Sequence, residues 1–564
     1  MPSNTFHVGL VMAGAVSAGA YSAGVIDFLI EALDEWENAK RNPTGPVPQH
    51  QVNLKVISGA SAGAITGAIA AGALATRFPP VRDVTIPNRE NKLFDSWVDQ
   101  IDIADLLQDK DLRDSQKPVI SLLDSTVLKN IADSALAVEP SGAPRPYVDP
   151  EFHLLTTVTN LRGVPYNIPL EGANRIGHGM QLHADYMHFL ISQGGTTRAP
   201  GALALDWEMR APHCRQNWGI LKDAALASGA FPIGLAPRLL SHTFPADDPY
   251  AQRTWPIPGI GKDANGECNC TEAKDIPPYW QPPFQDGESY KYQFQCVDGG
   301  VMNNEPLELA RQILAGPGNR LRRDPDKADR AVLLIDPFPS LGSFARNYTE
   351  APDLLHIILA MFGALKNQAR FKPDEIELAQ DPNVFSRFLI APVREGLAVG
   401  EQELAIACGT LGGFGGFLAR EFRAHDFMLG RRNCQQFLRR HFVLGETNDL
   451  FSDWNPLLKD KYRIERGGKR LLPVIPLVGS CEPEVREPKW PEYPEERLAV
   501  LRDRLDQRLG KVIDGVVSQY FHMKFFLVRW LAGLVIQRKR SDMLEFAMAT
   551  VGEDLRRFRL LRSS

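Results

Sequence analysis

The sequence predicts an α/β protein with a central, mainly parallel sheet flanked by helices, followed by a mostly helical C-terminal region. Strand-like and helix-like segments alternate over residues 7–74, which is typical of parallel strands joined by helical crossovers. From about residue 345 onward, helical periodicity takes over and strand patterns nearly vanish. We therefore expect one domain over 1–345 and a mostly helical region over 346–564.

The first elements follow from short patterns. His7–Met12 is apolar and predicts the first strand, and a helix is expected from Ala20 to about Glu37. Leu54–Ser58 predicts the second strand, and the small apolar residues Ala64–Leu74 predict a tightly packed helix. Further strands are predicted at Phe152–Thr159, Pro165–Pro169, Tyr292–Val297 and Ala331–Ile335.

Composition narrows the class of protein. The chain has 564 residues, of which 44% are hydrophobic and 23% charged, so it can bury a sizeable core. A net charge of −5 gives no indication of a nucleic-acid partner. The seven cysteines are scattered and odd in number, which favours reduced thiols in a cytoplasmic setting. We expect neither a metal nor a cofactor.

The apolar N-terminal segment is expected to belong to the folded protein. Val8–Ile30 has the composition of a signal sequence, but no Lys or Arg precedes it, and Asp27 lies near its end. The apolar run Phe525–Ile536 is too short to span a membrane and contains Arg529.

The stretch Gly59-Ala60-Ser61-Ala62-Gly63 carries the main chemical signal. It lies between a predicted strand and a predicted helix, as in the Gly-x-Ser-x-Gly turn of serine hydrolases. Gly59 and Gly63 allow strand and helix to approach closely, and the following helix favours a developing oxyanion near Ser61. The pattern predicts a nucleophilic serine at the tip of a sharp turn.

Two other segments supply candidate partners for Ser61. The loop Ala13–Gly19 is made of small residues, so its backbone N–H groups can approach a substrate oxygen. It follows the first strand, and neighbouring parallel strands end at the same edge of a sheet. Asp298 ends a predicted strand and is followed by Gly299 and Gly300, which leave its carboxylate in an open turn. Asp298 is the candidate general base.

Taken together, these motifs resemble the patatin-like phospholipase family. The segment Gly19–Val25, the turn at Ser61, the stretch Ala227-Ser228-Gly229-Ala230-Phe231-Pro232, and Asp298-Gly299-Gly300 occur in the family's order. The resemblance covers roughly residues 6–340. It implies a patatin-like fold, an appended C-terminal region, and hydrolysis of acyl esters in phospholipids and related lipids.

The resemblance also implies residue roles. Ser61 would attack the acyl carbonyl, and Asp298 would accept its proton and later activate water, which requires burial to raise the pKa of Asp298. Gly14, Ala15 and Val16 would form the oxyanion hole. The family loop is usually Gly-Gly-Gly-x-Arg/Lys-Gly, whereas this chain has Gly14-Ala15-Val16-Ser17-Ala18-Gly19 and lacks the basic residue.

Two alternatives stay open at the level of sequence. An α/β-hydrolase esterase would need a histidine after the acid, and the candidates are His356, His425, His441 and His522. A protein that keeps the fold but only binds lipid, or acts as an effector, would explain the altered oxyanion loop.

Three further segments have no settled role in the sequence. Residues 243–291 are rich in proline and aromatic residues and form either a surface loop or a lid beside the active site. Residues 519–540 are amphipathic and are a candidate for peripheral membrane contact, with core packing as the alternative. The polar stretch Phe422–Phe427 is interpreted as a buried ion pair or docking patch. Oligomeric state is not predicted.

Overall fold

The structure is a computed structural model, and it describes most of the chain. The described residues are 4–114, 117–137, 144–168, 177–196, 199, 201–244, 250–251, 253–258, 261–262, 268–269, 273–280, 289–315, 321–339, 364, 384–398, 400–520 and 526–561. About half of the predicted insertion 243–291 lies outside them, and its role as loop or lid stays a prediction.

A nine-stranded sheet forms the centre of the protein. Its main path runs β13-β12-β1-β2-β3-β11-β6, and β4 and β5 extend it beside β3. Pairing is parallel from β13 to β3, whereas β11, β6 and β4 join antiparallel. The strands are β1 Thr5–Met12, β2 Gln51–Gly59, β3 Val148–Ile168, β4 His178–Ser192, β5 Ala202–Leu205, β6 Arg238–Phe244, β7 Trp255–Pro258, β8 Gly261–Lys262, β9 Cys268–Asn269, β10 Ala273–Ile276, β11 Tyr290–Val297, β12 Arg330–Ile335, β13 Arg387–Ile390, β14 Val443–Gly445, β15 Ile464–Arg466 and β16 Lys469–Pro473.

Helices flank this sheet. They are α1 Gly19–Arg41, α2 Ala62–Ala73, α3 Lys92–Phe94, α4 Ile103–Leu106, α5 Thr126–Ala135, α6 Pro212–Ser228, α7 Leu307–Ala315, α8 Arg420–Arg440, α9 Pro456–Tyr462, α10 Glu496–Tyr520 and α11 Phe526–Arg557. A π-helical turn, Asp95–Asp99, follows α3. The predicted α/β fold with a mainly parallel sheet is confirmed.

The C-terminal region contributes to the same core. Strand β13 forms the edge of the central sheet, and β14, β16 and β15 form a small antiparallel sheet. Neither feature was indicated by the sequence, because these strands have 3–5 residues and too little alternation to be recognised. The domain boundary near residue 345 stays a prediction.

Helix α8 packs closely on α1, and glycines make that approach possible. A Cβ at Gly24 would overlap the Phe427 carbonyl, and one at Gly430 would overlap the Tyr21 carbonyl.

Near this crossing, the buried Arg431 donates to Asp27 and, at 2.5 Å, to Glu31. Burial raises the pKa of Glu31 and lowers that of Arg431 to about 10. Helix α8 is therefore fixed to the N-terminal part of the chain by backbone contact and paired charge.

The apolar N-terminal segment is part of this core. Among the helices that the structure describes, the run Val16–Arg41 alone has the length and composition that could cross a membrane. Its most apolar window is 94% buried inside the protein.

Candidate active site

Ser61 lies in a strained turn between β2 and α2. Its φ is 51° and its ψ is −124°, a backbone conformation that non-glycine residues rarely adopt. The turn is closed by backbone contact, since a Cβ at Gly59 would overlap Gly63 and one at Gly63 would overlap the Met12 carbonyl. Small residues at both positions are therefore a steric requirement, and the strain is of the kind found at functional sites.

The Ser61 side chain is bonded to Asp298. Its Oγ donates to Asp298 Oδ2 over 2.6 Å, and Ser61 and Asp298 are 6% and 5% exposed. The Ser61 N–H donates to Ser228 Oγ at 2.8 Å. Ser228 belongs to the stretch Ala227–Pro232, which the sequence singled out without assigning a role to Ser228.

Backbone and side-chain contacts fix the Asp298 carboxylate. The backbone N–H of Asp298 donates to the Ala230 carbonyl at 2.9 Å, and the backbone carbonyl of Asp298 accepts from Thr159 Oγ1 at 2.7 Å. Asp298 Oδ1 accepts from the Gly300 N–H at 2.7 Å, which leaves Oδ2 directed at Ser61. Residue 299 must be glycine, because a Cβ added there would overlap the Thr157 carbonyl.

The loop after β1 lies beside Ser61. The Gly14 N–H donates to the Asn304 carbonyl at 3.2 Å, and a Cβ at Gly14 would lie 3.0 Å from Ser61 Cβ. Within the described residues, no acceptor engages the N–H groups of Ala15 and Val16. Of the three predicted oxyanion residues, Gly14 therefore has its N–H engaged by Asn304, and a role of Ala15 and Val16 as oxyanion donors stays a prediction.

An apolar cavity opens at Ser61. It has an empty volume of about 740 Å³, counted to its open mouth. Two polar lining residues are Ser61 and Asp298, and most of the others are apolar. The lining residues are Val16, Ser61, Ala62, Ile65, Ile69, Ser96, Trp97, Ile101, Leu128, Ile131, Ala132, Ala135, Leu136, Ala225, Leu226, Gly229, Phe231, Leu235, Asp298 and Phe417.

Histidine is absent from the described lining of this cavity. His425 is buried on α8, where its Nδ1 lies 2.7 Å from Asp426 Oδ1, and His441 directly follows that helix. His356 and His522 lie outside the described residues. The described hydrogen bond of Ser61 Oγ is to a carboxylate.

The fold and site define an α/β protein with a buried serine–carboxylate pair at an apolar cavity. The family model for patatin-like phospholipases matches residues 10–251, which include the loop after β1 and Ser61 but not Asp298. An uncharacterized protein, y4iI of Sinorhizobium fredii (strain NBRC 101917 / NGR234), is 37% identical over 555 residues, covering 91% of this chain and 76% of the relative. The chain belongs to the patatin-like phospholipase family. Members of this family are in general hydrolases that act on lipid substrates.

A solved structure was also matched. VipD from Legionella pneumophila is 11% identical, with 97% of this chain and 89% of that chain covered and a TM-score of 0.22. A likeness at that TM-score adds nothing to the assignment.

Proposed function

We propose that this protein is a lipid acyl hydrolase in which Ser61 is the nucleophile and Asp298 the general base. The observation that carries the proposal is the 2.6 Å hydrogen bond between Ser61 Oγ and Asp298 Oδ2 in the lining of an apolar cavity. A positioned base within hydrogen-bond reach is the geometry that nucleophilic catalysis by serine requires.

The reaction runs in two halves. Ser61 Oγ attacks the acyl carbonyl while its proton passes to Asp298, and the Ala15 and Val16 N–H groups donate to the oxyanion. The ester C–O bond breaks, and Asp298 returns the proton to the leaving alcohol, which leaves an acyl-enzyme. A water molecule then gives its proton to Asp298 and attacks the acyl-enzyme. Breakdown releases the fatty acid, and the proton returns from Asp298 to Ser61 Oγ.

The cavity supports an acyl chain as the ligand. Ser61, Ile65 and Ile69 lie one helical turn apart along α2, and all three line the cavity. Eight residues of helix span about 12 Å, so the cavity follows α2 for roughly that distance from the attacking oxygen. An apolar slot of this shape binds a hydrocarbon chain and leaves the polar head of the lipid at the mouth.

Exposed apolar side chains surround part of the mouth. Phe231 lines the cavity and is 37% exposed, and its neighbour Ile233 is 56% exposed. The Leu122 N–H donates to the Ile233 carbonyl at 2.9 Å, which brings the exposed Leu122 into the same patch. We propose that this apolar rim, Leu122, Phe231 and Ile233, contacts a lipid surface. The side chains of 520–539, within the predicted contact 519–540, lie outside the described residues.

The test compares wild type with Ser61→Ala on a soluble p-nitrophenyl acyl ester and on phospholipid vesicles. Ser22→Ala serves as the control, because Ser22 is buried in α1 and its Oγ makes no hydrogen bond to described residues. Ser61→Ala should lower kcat at least about a thousandfold, as loss of a nucleophilic serine does.

Equal rates for wild type and Ser61→Ala on both substrates would refute the proposal that this protein is a serine hydrolase. If both proteins then still bound a fluorescent fatty acid, the non-catalytic lipid-binding alternative would replace it.

A further inference from the structure

A glycine-rich segment of the C-terminal region packs on the loop after β1. We call residues 407–418 the glycine segment. The fully buried Ser17 donates through Oγ to the Gly413 carbonyl and accepts from the Gly416 N–H at 3.0 Å. One hydroxyl thus joins two points of the chain that are 396 and 399 positions away in sequence.

The segment fits there because glycine removes the side chains. Gly412 and Gly413 have φ values of 62° and 101°, in the left-handed region that glycine adopts without strain. A Cβ at Gly416 would lie 2.6 Å from Ser17 Oγ and would overlap Cys408 Sγ. The contact with Ser17 therefore depends on the glycines that form it.

Helix α8 holds the segment in place through two buried charged side chains. Asp426 accepts from the N–H groups of Ala407 and Cys408 at 2.9 and 2.7 Å. Arg423 donates to the Gly416 carbonyl at 2.5 Å and to the Val98 carbonyl, in the π-helical turn, at 3.1 and 3.2 Å. Arg423 is 1% exposed, and this burial lowers its pKa. Arg423 and Asp426 are two of the three polar side chains of the stretch Phe422–Phe427, and His425 is the third.

The loop needs such support because Val16 is strained. Its φ is 48°, and a β-branched residue in this region costs about 1–2 kcal/mol relative to the right-handed conformation. A Cβ at Gly413 would lie only 3.4 Å from Val16 Cβ, so the segment covers this residue directly. Fixing Ser17 fixes the peptide that joins it to Val16, and so restrains the residue whose N–H is a proposed oxyanion donor.

We propose that the glycine segment is a positioning element of the active site: it holds the oxyanion loop through Ser17 and replaces the anchor that a basic residue at Ala18 would give. The inference rests on the proposed function. It makes the C-terminal region part of the catalytic apparatus, which agrees with Phe417 of the same segment lining the cavity.

The test compares Ser17→Ala with Ser22→Ala in the full-length protein. Both changes remove one buried hydroxyl near the start of α1, but only Ser17 is bonded to the glycine segment. With a soluble acyl ester, Ser17→Ala should lower kcat about ten- to a hundredfold and change KM less than about twofold, because a misplaced donor weakens transition-state binding alone. Ser22→Ala should keep both parameters.

Hydrogen exchange gives a second readout that does not need turnover. Peptides covering residues 13–20 should exchange faster in Ser17→Ala than in Ser22→Ala, and peptides covering 57–66 should exchange alike in both. If Ser17→Ala does not fold by circular dichroism, Gly416→Ala tests the same contact from the other side.

Equal kcat and equal exchange in the two serine variants would overturn the inference. Should wild type and Ser61→Ala show the same rate, the proposed function fails, and exchange alone then decides whether the segment holds the loop.

Discussion

The turn at Ser61 and the loop at Val16 both contain a non-glycine residue at positive φ but are held in different ways. Both place a non-glycine residue at positive φ, 51° and 48°. The Ser61 turn is closed mainly by its neighbours in sequence, with Gly63 donating to the Ala60 carbonyl at 2.7 Å. The Val16 loop is held by Gly413 and Gly416 from the C-terminal region.

The difference shows why the sequence indicated how the Ser61 turn is closed but not what supports the Val16 loop. A strained turn closed by local glycines leaves a short motif, Gly59–Gly63, whose spacing is fixed by sterics. The small residues of Ala13–Gly19 predict a loop, but the segment that supports this loop is visible only in the folded chain. Replacing glycine by Ala15 and Val16 therefore does not by itself mean that the loop has lost its shape.

The largest effect is expected at the Ser61 turn. Gly63→Ala would place a methyl group on the Met12 carbonyl, which packed backbone cannot accommodate, so the free energy of unfolding should fall by more than about 4 kcal/mol. Gly45→Ala is the control, because nothing lies within 4 Å of a Cβ there. Urea unfolding measures both. A Gly63→Ala protein as stable as Gly45→Ala would contradict the close packing of Gly63 on the Met12 carbonyl.

The next effect concerns the attachment of α8, which holds the glycine segment. Arg431→Met leaves the buried carboxylates of Asp27 and Glu31 without their shared cation, and should lower the free energy of unfolding by about 3–5 kcal/mol. Arg440→Met, on an exposed position of the same helix, should change it by less than about 0.5 kcal/mol. Equal stabilities of the two variants would show that this cluster does not fix the helix.

His50 joins the N-terminal part of the chain to Trp454 and Val474 of the C-terminal region, and protonation of His50 in acid should break this contact. Its Nδ1 accepts from Trp454 and its Nε2 donates to the Val474 carbonyl, so a second proton has no place. Burial lowers the pKa of His50 to about 3. Between pH 7 and 5 the unfolded state gains a proton that the folded state does not, which costs about 2 kcal/mol of stability.

His50→Gln should remove the part of the stability loss between pH 7 and 5 that comes from His50. Thermal or urea unfolding at pH 7 and 5 should therefore show a decrease about 2 kcal/mol smaller than in wild type, whereas His178→Gln, at an exposed position, should keep the wild-type decrease. An unchanged decrease in His50→Gln would refute the assignment.

The smallest effect is expected at Val16 and tests whether its backbone is strained. Val16→Gly should raise the free energy of unfolding by about 1 kcal/mol, because glycine adopts φ 48° without cost. Val25→Gly, the same change in the buried middle of α1, should instead lower it. Destabilisation by both changes would mean that Val16 is not strained.

Much of the fold followed from residue patterns, and the misses have physical causes. Every strand predicted before residue 340 overlaps an observed one, because buried strands form apolar runs. The predicted strands Phe152–Thr159 and Pro165–Pro169 fall on one long strand, β3, which ends at Ile168. Strand β13 was missed because four residues at a sheet edge carry little pattern. Ser61 and Asp298 were paired through resemblance, and the structure places them in contact. Ser17, Arg423 and Asp426 act through contacts between distant segments, which periodicity does not encode.

The proposed activation of Ser61 by Asp298 can be measured without turnover. The measurement is covalent labelling by a fluorophosphonate, followed by peptide mass mapping, in wild type and in Asp298→Asn. We expect a single adduct on Ser61 in wild type and labelling at least about a hundredfold slower in Asp298→Asn, the usual contribution of a general base. An adduct on another residue, or equal labelling rates in the two proteins, would contradict it.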